Sequence, residues 1–293
     1  MHAETLRTIR TRFNRAATSY DAAAVLQREV AARLDERLDL MRIHPQRILD
    51  LGSGTGDAAA LLRRRFGRAA RIALDLAPAM LHQEHTQRSL TQRWLGPRRD
   101  FICGDMHTLP LRDACVDMVW SSLALQWASD PLTVFGECRR VLRPEGLLLF
   151  SSFGPDTLLE LRHAFARIDT APHTNRFVDM HDLGDALLAT GFAAPVMETE
   201  RIVLTYADLK AVLQDLKSIG ANTVVEGRHT GLMGRARWQA LQAAYATFAH
   251  ADGRLPATFE VVYGHAWAGT PQIPKHPQGE SVIRWQSRAA NPR

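Results

Sequence analysis

Lysine is almost missing from this chain. It occurs only at Lys210, Lys217 and Lys275, so nearly all the positive charge is arginine. A GC-rich genome accounts for that bias, and against it each retained lysine becomes a candidate for a specific role. Cysteine is scarce too. Cys103, Cys115 and Cys138 are odd in number and show no metal-ligand spacing, which points to reduced thiols in a cytoplasmic setting and to no bound metal. No apolar run approaches the roughly 18 residues that a membrane span needs. The N-terminal MHAETLRTIRTRFNRAATSY lacks an apolar h-region and does not read as a secretory signal. Its Glu4 and the helical spacing of its apolar residues favour a structural helix over an Arg-rich transit peptide. There is no G-x-S-x-G elbow and no Walker lysine. Basic residues interleaved with aromatics are missing as well, so nucleic acid is not an expected partner.

What is present describes a globular protein large enough for one big core or two modest ones. The chain has 293 residues, 46% of them hydrophobic and 23% charged, with a net charge of +5 that suits an acidic partner. The run Arg63-Arg64-Arg65 sits late in an expected helix, where cations favour the dipole, and reads as a solvated helix end.

The most informative segment is Arg47-Ile48-Leu49-Asp50-Leu51-Gly52-Ser53-Gly54-Thr55-Gly56. A short apolar run with an acid near its end breaks into three alternate glycines, and an amphipathic segment follows at Asp57. That is a strand, a tight turn and a helix start, where glycine lets backbone approach a ligand. A dinucleotide fingerprint needs a third small residue where Asp57 stands. An acid followed by G-x-G-x-G instead resembles the motif of class I S-adenosylmethionine (SAM) methyltransferases.

Around this turn, strands and helices alternate. Strands are expected at Arg47–Leu51, Arg71–Leu76, Asp100–Cys103, Val116–Ser121 and Leu147–Ser151. Helices are expected at Glu4–Phe13, Asp21–Leu38 (capped by Ser19 or Asp21), 58–65, 79–88 and Pro131–Leu142. The pattern predicts an α/β fold with a doubly wound, largely parallel sheet. Two later strands, Arg201–Thr205 and Phe259–Trp267, would complete seven strands, the last antiparallel. The expected domain covers 1–269, with helices in 207–252 inserted as a lid. Residues 270–293, rich in proline and polar groups, read as a disordered tail.

SAM has three parts with different needs. Asp50 can meet the ammonium of its amino acid end, and Gly52, Gly54 and Gly56 let backbone come close. Asp75 ends the second strand, where an acid takes ribose hydroxyls in doubly wound nucleotide sites. Leu76 and Met80 can wall the adenine. Asp105 can accept its amino group, with Met106 beside it. Ser121, closing the fourth strand, completes the expected cofactor set. Each acid alone is more often a turn or capping residue, but three at successive strand ends around one glycine turn point to a ligand. Gln126 falls at the mouth of such a site, whereas Trp127 reads first as a core aromatic. Tyr20 reads as a helix-capping residue or as part of a cover over the pocket. His82 and His85 share a helix face without a third ligand and read as surface histidines.

Longer strings narrow the family. Phe13-Asn14-Arg15-Ala16-Ala17-Thr18-Ser19-Tyr20, Gln27-Arg28 and Ser122–Trp127 are similar to the malonyl-acyl-carrier-protein O-methyltransferases of biotin synthesis. So are His173-Thr174-Asn175-Arg176-Phe177, Leu216–Asn222 and Glu226-Gly227-Arg228. The resemblance runs from about Ile9 to Ala268, and the Leu216 and Glu226 strings carry most of its specificity. It implies methyl transfer from SAM, which leaves S-adenosylhomocysteine, to the free carboxylate of a malonyl thioester on acyl carrier protein. The resulting methyl ester starts pimeloyl and biotin synthesis. The resemblance also implies no general base, because the carboxylate is already ionised at pH 7. Lys217 and Arg228 are the candidates for a cationic clamp on it, and Tyr20 for closing the pocket.

Two strings, Phe153–Arg162 and His181–Gly184, also resemble a relative that assists assembly of respiratory complex I and hydroxylates arginine. Three alternatives therefore stand beside the leading one: a SAM methyltransferase of another small acid, that arginine hydroxylase, and a non-catalytic assembly factor on the same fold.

Overall fold

The structure, a computed structural model, describes residues 2–88, 96–171, 173–218 and 234–269. The strands are β1 (Arg47–Leu51), β2 (Ala70–Asp75), β3 (Arg99–Cys103), β4 (Val116–Ser121), β5 (Leu142–Phe153), β6 (Ala193–Tyr206) and β7 (Leu255–Trp267). They form one sheet in the order β3-β2-β1-β4-β5-β7-β6. The first five are parallel, and β7 runs antiparallel to both neighbours. This is the doubly wound α/β sheet expected from the alternation of elements.

Successive strand residues face opposite layers, as the period of two demands. Ile48, Met118, Trp120, Leu147 and Leu149 point into one core. Leu49, Val119, Leu148 and Phe150 point into the other. Because both faces are covered, the central strands are mostly apolar, with buried polar exceptions such as Asp50 and Ser121. The first layer holds α3 (Val25–Arg37), α4 (Asp57–Arg65), α7 (Leu159–Ala166), α9 (Leu209–Ser218) and α10 (Arg235–Ala246). The second holds α6 (Pro131–Val141) and α8 (Met180–Ala189). Asp130 caps α6 by accepting from the Leu132 N–H, with Pro131 in the first turn where its missing N–H costs nothing. Asp179 caps α8 in the same way.

A third, small cluster lies over the carboxyl edge of the sheet. Here α1 (His2–Ala16) and α2 (Tyr20–Ala23) pack Phe13, Ala16, Ala17 and Tyr20 against Ala77 and Met80 of α5 (Pro78–Thr86) and the turn before it. Asn14 Oδ1 accepts from the Ala79 N–H at 3.0 Å and fixes α1 there.

Several expected boundaries move. The single helix expected over Asp21–Leu38 breaks at Ala24, because Asp21 turns inward to bind the Thr55 hydroxyl and the Gln87 amide. Neither Ser19 nor Asp21 caps a helix, since the Ser19 hydroxyl donates back to Ala16 O at 3.2 Å. The expected strand Arg201–Thr205 extends back to Ala193, and its added Glu198 and Glu200 pair with Arg37 and Arg33 of α3. The expected tail 270–293 lies outside the described residues.

Candidate active site

The carboxyl ends of β1, β2 and β4 and the turn after β3 open into a cleft of about 910 Å³, part of it open to solvent. Its floor is the turn after β1. Gly52 and Gly54 hold left-handed φ values of +74° and +57°, which side-chain-bearing residues disfavour by about 1–2 kcal/mol. A Cβ on Gly52 would stand 2.3 Å from Ala124 Cβ, so this glycine serves packing. A Cβ on Gly54 would meet nothing within 4 Å, although the residue lines the cleft. The backbone there is bare toward a space a ligand can enter.

Asp75 stands across this floor. Its carboxylate accepts from the Gly54 N–H at 2.9 Å and from the Ala77 N–H at 2.8 Å. Burial pushes it up to about 6, while those two backbone bonds pull it down. At neutral pH it is an anion with lone pairs left for ligand hydroxyls.

Asp105, two residues past β3, also faces the cleft, together with Met106, Leu76 and the buried Met80. Its Oδ1 accepts from the His107 N–H at 2.9 Å and lies 2.7 Å from His107 Nδ1. Because Ser129 N–H donates to Nε2 of the same ring at 3.2 Å, the proton belongs on Nδ1 and points at Asp105.

The other wall comes from the N-terminal cover: Leu6, Ile9, Phe13, Tyr20 and Gln27. Phe13 meets Trp127 edge-on with centroids 5.4 Å apart, a geometry worth about 0.5–1.5 kcal/mol beyond area burial. Burial, then the fields of Asp57, Asp75 and Asp21, raise the Tyr20 phenol well above the usual tyrosine range, so it stays a neutral donor.

Three expected cofactor residues do not line the cleft. Asp50 is 1% exposed and turns beneath the sheet, its Oδ2 3.1 Å from Nη1 of buried Arg71. Burial raises Asp50 and lowers Arg71 to about 10, with their mutual attraction opposing both shifts. Arg71 and Arg99 in turn pair with buried Glu84. Gly56 backs onto the Glu84 side chain and starts α4. Ser121 is fully buried and donates to Leu51 O at 2.9 Å, tying the ends of β1 and β4 together. All three act on the turn from behind. An acid at a strand end is legible in the chain; the face it takes depends on Arg71, a strand away.

Past Gln126, Trp127 and Phe153 the cleft adjoins a second chamber of about 770 Å³ that shares these three residues. One side is apolar, with Leu161, Phe165, Leu213, Leu216 and Phe259, and a polar strip runs through His173, Thr174 and Asn175. His173 stacks on Phe165 with centroids 3.7 Å apart, and its Nε2 lies 2.8 Å from Asp169, which also pairs with Arg237 of α10. The sequence does not foretell this chamber, because its walls come from segments far apart in the chain. The His173–Phe177 string marks one of them by resemblance alone, without a role. No lysine or arginine among the described residues lines either space. Lys217 is exposed on α9, whose Leu213 and Leu216 face the chamber, and Arg228 lies outside the described residues.

Residues 49–150 match the family model described as a methyltransferase domain. The malonyl-[acyl-carrier protein] O-methyltransferase of Laribacter hongkongensis is 53% identical over 286 residues, covering 96% of each chain. That of Methylovorus sp. is 50% identical over 284 residues, 97% of this chain and 95% of its own. The chain belongs to this family.

The malonyl-[acyl-carrier protein] O-methyltransferase family includes more distant members such as that of Coxiella burnetii, 39% identical over 91% of this chain and 89% of its own. Among solved structures, the YcgJ protein of Bacillus subtilis matches with a TM-score of 0.58 at 15% identity, over 83% of this chain and 99% of its own. Phosphoethanolamine N-methyltransferase 2 of Haemonchus contortus, solved with SAM, matches at 0.53 and 14%, over 88% of this chain and 57% of its own. At such identities the likeness is one of fold, and it is the class I methyltransferase fold. The methyl donor of such enzymes is SAM.

Proposed function

We propose that this protein transfers the methyl group of SAM to the free carboxylate of malonyl-acyl carrier protein, and that the ester starts pimeloyl and biotin synthesis in the cytoplasm. The structural observation that supports this reading best is the pair of adjoining spaces that meet at Gln126, Trp127 and Phe153. One suits the donor and the other an acceptor on an acyl arm. The donor side has what SAM requires: a bare glycine turn, an anionic Asp75 for ribose hydroxyls, and Asp105 beside Leu76, Met80 and Met106 for adenine. Asp50, Gly56 and Ser121 support that turn from below rather than touching the ligand.

When bound, SAM supplies a sulfonium-activated methyl carbon: the acceptor's carboxylate oxygen bonds to it, and the S–CH₃ electron pair stays on sulfur as a neutral thioether. No proton moves, so the chain need not provide a base. Its residues place the oxygen in line with the methyl and keep water out. The Phe13–Trp127 pair and Phe153 wall the junction, and Tyr20 offers a neutral hydroxyl at the cleft. Carboxylate selection needs a cation, and we assign it to Lys217, exposed on α9 beside the chamber wall, and to Arg228, further along the segment inserted between β6 and β7.

The test is transfer of labelled methyl from SAM to malonyl-acyl carrier protein, with acetyl-acyl carrier protein as the control lacking a carboxylate. Label on the malonyl form alone supports the reading. Label on neither, or on both equally, overturns it.

A further inference from the structure

The cleft contains an acceptor atom with no partner. Gln27, in the first turn of α3, lines the cleft on the side of Tyr20, and its Oε1 is fully buried without a hydrogen-bond donor. An unpaired buried amide oxygen is costly, and a native site retains one where a ligand supplies the missing donor.

The surroundings say what kind of donor. Asp21, Asp57 and Asp75 all act on the neighbouring Tyr20 as negative charges. Asp57 is pushed up to about 6, by burial first and then by the charge of Asp21. The cation acting on Asp57 is Arg28, whose Nη1 donates to the Asp21 carbonyl at 2.6 Å. Asp75 lines this end of the cleft, and Asp21 and Asp57 stand behind it near enough to act on Tyr20, so the field there is negative. A neutral acceptor inside an anionic field fits a cationic donor better than a hydroxyl or an amide.

The donor ligand has one such group, the α-ammonium of its methionine end. We propose that Gln27 Oε1 receives this ammonium, in the field of Asp21, Asp57 and Asp75, and so sets where the amino acid end lies. The assignment rests on the cofactor reading above and moves the ammonium contact from Asp50, which faces Arg71, to the N-terminal cover. It gives the cover a recognition role: α1, α2 and the start of α3 select the ligand as well as shield it.

The test compares two ligands by calorimetry on the full chain. S-adenosylhomocysteine carries the ammonium. 5′-Methylthioadenosine keeps adenine, ribose and thioether and lacks the amino acid end. Gln27→Leu is expected to weaken S-adenosylhomocysteine about tenfold or more, while 5′-methylthioadenosine stays within about twofold. Gln27→Glu keeps an acceptor and should restore most of the loss. An unchanged affinity for S-adenosylhomocysteine, a loss shared equally by both ligands, or a Gln27→Glu variant as weak as Gln27→Leu overturns the assignment. If wild-type protein binds neither ligand, the cofactor reading itself falls, and the Gln27 assignment with it.

Discussion

Gly54 N–H donates to the Asp75 carboxylate at 2.9 Å, so the acid that ends β2 also shapes the glycine turn after β1. One side chain thus holds the floor of the cleft and presents lone pairs to whatever lies on it. Its charge state governs both tasks.

Asp75 is raised by burial to about 6, above the ordinary carboxylate value of 3.8. The stability tied to its protonation is full below that ordinary value and is lost as pH rises through about 6. The proposed ligand contact needs the ionised form, so affinity is expected to change in the opposite direction. In Asp75→Asn, the Tm relative to wild type, without ligand, should be higher at about pH 7.5 than at about pH 5. Wild-type affinity for S-adenosylhomocysteine should fall as pH drops through about 6, and Asp75→Asn should be about tenfold or more weaker at neutral pH, with a flatter profile. Denaturation scans and calorimetry across that window check both trends.

The two glycines should fail differently. Gly52→Ala drives a Cβ into Ala124 and is expected to lower Tm sharply. Gly54→Ala meets no protein atom within 4 Å and should cost only the left-handed strain of about 1–2 kcal/mol, yet lose ligand affinity because its methyl enters the cleft. A Gly54→Ala variant with normal affinity for S-adenosylhomocysteine would contradict the placement of the ligand over the turn.

Filling the second chamber should separate donor from acceptor. Leu213→Trp adds bulk at the apolar wall on α9. Its KM for the acceptor is expected to rise about tenfold or more, with S-adenosylhomocysteine binding within about twofold of wild type. Equal loss in both measurements would place the chamber outside the acceptor path.

The clamp is tested by Lys217→Ala and Arg228→Ala. Each should reduce kcat/KM for the malonyl acceptor by about tenfold or more and leave ligand calorimetry unchanged, since a charged hydrogen bond is worth about 1.5–3 kcal/mol. Unchanged turnover in both variants would remove them from the site.

Much of this architecture is legible in the chain because its signals are local. Buried parallel strands such as Arg47–Leu51 and Val116–Ser121 are short apolar runs, and the turn at Gly52–Gly54 carries its own spacing. Signals that depend on partners are less visible. The polar stretch Glu198–Glu200 interrupts β6 in the sequence because both glutamates meet arginines of α3. Asp50 reads as a ligand contact until Arg71 supplies a buried partner, while Gln27 carries no signal of its own beyond a matching string. The second chamber gathers Phe153, Leu161, His173, Leu213 and Phe259, which only the folded chain brings together.

The most direct measurement of the central claim is the intact mass of malonyl-acyl carrier protein after incubation with the protein and SAM, followed by mild alkali. The expected result is a gain of one methylene unit on the acyl group, removed by alkali as methanol, with stoichiometric S-adenosylhomocysteine. An unchanged carrier-protein mass under conditions where the protein binds SAM would contradict it.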